Sequence, residues 1–155
     1  MVYKTGYPST FLIENLSPPG WMLQTLTIDL SPSFGEAVFN PRPGSMGAEA
    51  PDAFYQLRAS GSEVGLRQPA SLTADNLILT LSFKVFPPKE RIAFLIDLDD
   101  KSLVSARGQR RVTFGELAGT KVSAQMKAQK KKYPAYVEAT FNQTGLADSA
   151  ADGCT

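Results

Sequence analysis

Residues 76–100, NLILTLSFKVFPPKERIAFLIDLDD, contain two stretches of alternating apolar and polar side chains on either side of a proline turn. The apolar positions are Leu77, Leu79, Leu81, Phe83 and Val85 before the turn, and Ile92, Phe94, Ile96 and Leu98 after it. Alternation with a period of two is typical of strands that bury one face and expose the other. The stretch therefore predicts two half-buried strands joined through Pro87-Pro88-Lys89-Glu90.

Most of the remaining chain has the same character. Strands are predicted over 9–16, 22–30, 120–128 and 136–142, with shorter ones near 36–39 and 53–58. Eleven prolines and twelve glycines supply turns, and no segment has the periodicity of a helix. The sequence predicts an all-β antiparallel sandwich of about seven or eight strands, jelly-roll or immunoglobulin-like. We expect one domain over residues 1–145, followed by a polar tail at 146–155.

The composition argues against several classes of function. Sixteen basic and fifteen acidic residues give a net charge of +1, so no overall field favours nucleic acid or an anionic membrane. No apolar run reaches the roughly 18 residues of a membrane-spanning helix, so no membrane insertion is expected. The chain has no histidine, and its one cysteine, Cys154, is the penultimate residue. Because histidine is the commonest general base, we expect a protein that is not an enzyme.

An acidic cluster follows the second central strand. Asp97 and Asp99 occupy alternate positions and so project on the same side, and Asp100 is adjacent. Carboxylates in this arrangement predict a calcium site, because calcium prefers hard oxygen ligands. Two alternatives stay open: a solvated strand end or turn whose aspartates bond backbone N–H groups, and a glycosidase pair of carboxylates.

A basic turn near the end of the chain is the second candidate site. It consists of Lys130, Lys131, Lys132, Tyr133 and Tyr136. Lysines beside tyrosines predict a site for a polyanion, and a sulfated or acidic glycan fits better than nucleic acid. The Pro/Gly-rich loop at 31–51 is expected to contribute to the same surface. The alternative is a soluble turn whose lysines prevent association between sheet edges.

Several short motifs occur in the order found in one known family. They are Phe11–Asn15 (FLIEN), Ile28–Ser31 (IDLS), Leu81–Glu90 (LSFKVFPPKE), Phe94–Asp99 (FLIDLD) and Gly115–Val122 (GELAGTKV). Through them the chain resembles the core, ring-forming domain of sponge aggregation factor proteins and related bacterial secreted proteins. The family has a proline-glycine turn where this chain has Pro87-Pro88-Lys89.

The resemblance implies an extracellular or cell-surface β-domain that associates with calcium and takes part in aggregation. The first hypothesis is therefore a non-enzymatic adhesion or assembly module that acts as a homo-oligomer, through a sandwich edge or a rim of loops. The second is a glycan-binding module that uses the basic turn. A structural subunit of a filament or virion has the same composition and remains a third hypothesis.

Overall fold

The computed structural model describes residues 1–5, 10–40, 55–59, 64–96, 98–100 and 112–147. Twelve strands and one short helix lie within these ranges. They are β1 (Val2–Thr5), β2 (Thr10–Glu14), β3 (Trp21–Asp29), β4 (Ala37–Phe39), β5 (Tyr55–Ala59), β6 (Ser71–Leu72), β7 (Ile78–Ser82), β8 (Arg91–Leu95), β9 (Leu98–Asp100), α1 (Phe114–Leu117), β10 (Lys121–Ala128), β11 (Ala135–Thr140) and β12 (Leu146–Ala147).

The strands form two five-stranded sheets and one small pair, and all of their pairings are antiparallel. The first sheet has the order β12-β1-β2-β8-β5, and the second has the order β11-β10-β3-β7-β6. The pair β4–β9 forms the third sheet. The predicted all-β sandwich is confirmed. Seven strands have five residues or more. Of the five shorter ones, β4 matches the strand predicted near 36–39, whereas a strand of two residues such as β6 or β12 is too short for a sequence pattern to reveal.

One hydrophobic core lies between the two large sheets. The first sheet contributes Phe11, Ile13, Ile92 and Phe94, and the second contributes Leu26, Ile28, Leu79, Leu81, Val122 and Met126. The outer face of β3 carries Thr25, Thr27 and Asp29, which are half-buried. The period-two pattern thus assigned the inner and outer faces of the long strands correctly.

The proline turn carries the chain from one sheet to the other. β7, before the turn, lies in the second sheet, whereas β8, after it, lies in the first. The turn is anchored by a hydrogen bond from the backbone N–H of Lys89 to the carbonyl of Asn15. The second predicted central strand is also divided, because β8 ends at Leu95 and β9 pairs with β4 instead. Asp97, between them, lies outside the described residues.

Two local features depart from the sequence prediction. The expectation of no helix was wrong, since α1 forms one turn that is closed by a capping box between Thr113 and Glu116. A four-residue helix is too short to produce helical periodicity, although T-x-x-E marks its start. In addition, Leu146 and Ala147 of the predicted tail pair with β1, while residues 148–155 lie outside the described residues.

Candidate functional site

The sandwich has two ends, which are defined by the antiparallel pair β3 and β10. At one end Trp21 pairs with Ala128, and at the other Asp29 pairs with Lys121. We call the first the hairpin end; it holds the 129–134 turn and the 86–90 connection, because Leu23 donates to the carbonyl of Phe86. We call the second the helix end; it holds the 30–36 loop, α1 and the 142–145 turn.

The predicted polyanion-binding residues lie together at the hairpin end. Lys130, Lys131, Lys132, Tyr133 and Tyr136 are all exposed, on the turn between β10 and β11 or on β11 itself. Tyr133 is 71% exposed and Tyr136 is 72% exposed. The Nζ atoms of Lys131 and Lys132 lie 5.3 Å from the ring centroid of Trp21 and 5.5 Å from that of Tyr133. The turn therefore presents cations and aromatic rings on one exposed surface.

The predicted contribution of the 31–51 loop to this surface is not found where the structure describes that loop. Residues 31–36 lie at the helix end, bound to α1 through Phe34 and Gly35, whereas the lysine turn lies at the hairpin end. The nine residues of β3 separate the two, which is roughly 30 Å of extended chain. Residues 41–51 lie outside the described residues.

Of the predicted calcium ligands, Asp99 is the one whose side chain is described. It belongs to β9, pairs with Val38, and accepts a hydrogen bond from the side-chain amide of Asn40. Asp97 and the side chain of Asp100 lie outside the description. Among the described residues no three acidic, histidine or cysteine side chains form a group that could hold a metal ion. The calcium site stays a prediction.

The described charges are segregated between the two ends. The helix end holds the carboxylates of Asp29, Glu36, Asp75, Asp99 and Glu116 together with Lys121. The hairpin end holds Lys84, Lys89, Arg91, Lys127, Lys130, Lys131 and Lys132 together with Glu14 and Glu90. Arg67 and Glu138 lie between the ends. The other charged side chains, which include those of Lys4, Arg58 and the residues of 101–111, lie outside the description. The sequence as a whole is nearly neutral, so composition could not reveal this polarity.

A cleft lies between the two sheets towards the hairpin end. Its volume is about 80 Å³, and its apolar lining includes Val2, Ile13, Leu16, Leu23, Leu26, Ala124, Met126 and Val137. Glu14, Asn15 and Ser17 are the polar residues of the lining. The lining comes from five strands and the segment after β2, so nothing in the sequence brings these residues together.

An aromatic side chain stands in solvent at the helix end. Phe34 is 85% exposed, the highest value among the large apolar side chains that the structure describes. Its backbone N–H donates to the carbonyl of Ala118 at 2.9 Å, and that of Gly35 donates to the carbonyl of Glu116 at 2.9 Å. The loop is therefore fixed to α1 while the ring projects outward.

Comparison with known proteins found no matching family model, curated protein or solved structure. The resemblance to aggregation factor core domains accordingly stays a prediction. No helix among the described residues is long and apolar enough to cross a membrane.

Proposed function

We propose that the protein is a non-enzymatic adhesion and assembly module that acts by associating with copies of itself. The proposal is supported by the segregation of the charges that the structure describes: among these side chains, five carboxylates and one lysine lie at the helix end, and seven basic and two acidic groups lie at the hairpin end. The helix end of one copy therefore attracts the hairpin end of another, whereas two helix ends or two hairpin ends repel each other. Self-association in one direction is the arrangement that this polarity favours.

Calcium and location complete the proposal. A cation bound by Asp97, Asp99 and Asp100 would change the charge that the helix end presents, because Asp99 lies at that end. Calcium would then regulate the association rather than take part in chemistry. An extracellular location is proposed on the family resemblance alone.

We expect oligomers whose formation rises with protein concentration and falls with salt. Raising NaCl from about 0.01 M to about 1 M shortens the screening length from roughly 30 Å to roughly 3 Å and should weaken association at least about tenfold. Size-exclusion chromatography with light scattering, in calcium and then in EGTA, measures this. Collapse in EGTA supports calcium dependence, and assembly indifferent to EGTA supports a plain structural subunit of a filament or virion. A monomer under all conditions contradicts the proposal.

Glycan binding is the second candidate function, and the exposed tyrosines favour it. A hairpin that only needed solubility gains nothing from two aromatic rings more than 70% exposed. Rings beside lysines match a sulfated or acidic glycan, whose sugar faces pack on aromatic surfaces while its anions meet the ammonium groups.

Replacing Lys130, Lys131 and Lys132 together with alanine is expected to weaken retention on heparin, with at least about a tenfold loss of affinity. The matched control replaces Lys84, Lys89 and Lys127, which removes the same charge from the same end but leaves the turn intact. If both triple variants lose affinity equally, binding depends on net charge and not on this turn. If the first triple variant is retained like the unmodified protein, the turn is not the site.

A further inference from the structure

We propose that Phe34 of one copy inserts into the inter-sheet cleft of a second copy, which joins the copies head to tail. The inference rests on the assembly function proposed above and identifies the contact that carries it. The occupant of the cleft is a second copy of this chain.

Phe34 has the properties of a preformed anchor. A phenylalanine that is 85% exposed leaves nearly its whole ring in water, where apolar surface is unfavourable. The two backbone hydrogen bonds to α1 hold its loop, and Gly35 fits against Glu116 because it lacks a Cβ. A side chain on a fixed loop loses little backbone freedom when it is buried by a partner.

The cleft has the properties of a receptor for an apolar ring. Leu16 at its mouth is 54% exposed, and Leu23, Met126 and Val137 line its interior. An enclosed cavity of about 150 Å³ holds benzene, so this cleft, with about 80 Å³, admits only the edge of a ring, and the rest of the ring would lie against Leu16 at the mouth. The thioether side chain of Met126 adapts its shape to such a group.

Charge complementarity favours a second copy as the occupant. Glu36 and Glu116 flank Phe34 at the helix end. The cleft lies towards the hairpin end, where most of the described charged side chains are basic. The exposed Lys89 adjoins it, because its backbone N–H donates to the carbonyl of Asn15 in the lining, although Glu14 is also part of the lining. Because the ring and the cleft belong to different surfaces, the contact is heterologous, and successive copies form a chain or a closed ring of subunits.

Two variants that each remove one side of the contact test the proposal. Phe34→Ala removes the ring, and Leu16→Asp places a carboxylate at the mouth of the cleft; both positions are exposed, so folding should persist. Each variant alone is expected to associate at least about 30-fold more weakly than the unmodified protein. An equimolar mixture should form a discrete dimer and nothing larger, because the ring of the Leu16→Asp chain still fits the cleft of the Phe34→Ala chain.

Sedimentation velocity on each protein and on the mixture gives the result. Phe114→Ala, a change of the same residue type at the same end, is the matched control and should alter association less than about threefold. Ala124→Leu, which fills the cleft from β10, replaces Leu16→Asp if thermal melting shows that the latter is unfolded. An unmodified protein that stays monomeric overturns both the assembly function and this contact. Assembly that survives Phe34→Ala, or a mixture that forms no dimer, overturns the contact alone.

Discussion

Replacing Phe11 with alanine is expected to lower the free energy of unfolding by about 4 kcal/mol, as is typical for a fully buried phenylalanine. The ring is 0% exposed and stacks on Phe94 with centroids 5.2 Å apart and planes at 12°. It also meets Phe141 edge-on at 6.3 Å and Phe39 at 6.5 Å. These contacts join the first sheet to β4 and to the segment after β11, so the cavity would lie where three parts of the fold meet.

Urea denaturation measures this loss. Phe11→Leu is the control. Because leucine keeps most of the buried volume, this change should lower the free energy of unfolding by less than about 1.5 kcal/mol. A loss below about 1 kcal/mol for Phe11→Ala would mean that the surrounding rings collapse into the space. The four-ring cluster would then not be a rigid part of the core.

Replacing Gly119 with alanine is expected to cost about 3 kcal/mol. Its φ is +91°, a conformation that side chains disfavour, and a Cβ there would lie 2.6 Å from the carbonyl oxygen of Pro32. A backbone oxygen cannot rotate aside as a side chain can, so the 30–36 loop and α1 would have to separate. Thermal and urea unfolding of the variant measure the cost.

Gly20 offers a matched control for this prediction. It has the same φ of +91°, but a Cβ there would meet nothing within 4 Å. Gly20→Ala therefore measures the conformational cost alone, about 1 kcal/mol, and the difference from Gly119→Ala measures the steric contact. Equal losses at the two positions would contradict the close approach of Gly119 to Pro32.

The sequence predicted the class of the fold and the long strands because these depend on local alternation. β7 and β8 bury alternate residues, and β3 and β10 do so on either side of the irregularity in their pairing at Gln125 and Met126. That pattern is visible without knowing what covers the buried face. The pairing of strands was not predictable in the same way. β7 and β8 are neighbours in sequence yet lie in different sheets. This could not be predicted, because a turn with two prolines gives no signal that distinguishes a hairpin from a crossing between sheets.

The candidate sites also differ in whether their residues lie close together in the sequence. The lysine turn could be predicted because all five residues lie within one local hairpin, whose exposure follows from its polarity. The cleft and the polarity of charge arise from residues distant in the sequence, which only the folded sheets bring together. Phe34 was missed for another reason: an apolar residue in a loop is ordinarily expected to turn inward.

The crossing at the proline turn also has a consequence for how quickly the chain folds. β3 cannot complete its pairing until β10 is in place, because Asp29 pairs with Lys121 about 90 residues later. The pairing of β2 with β8 likewise joins segments that are distant in the sequence. Closing such large loops costs entropy before the contacts repay it, and sandwiches of this kind reach the native state in milliseconds to seconds. During that interval β2 has its partner β1 but not β8, and β3 lacks both β7 and β10. A newly made chain therefore exposes unpaired strand edges that can bind other unfolded copies.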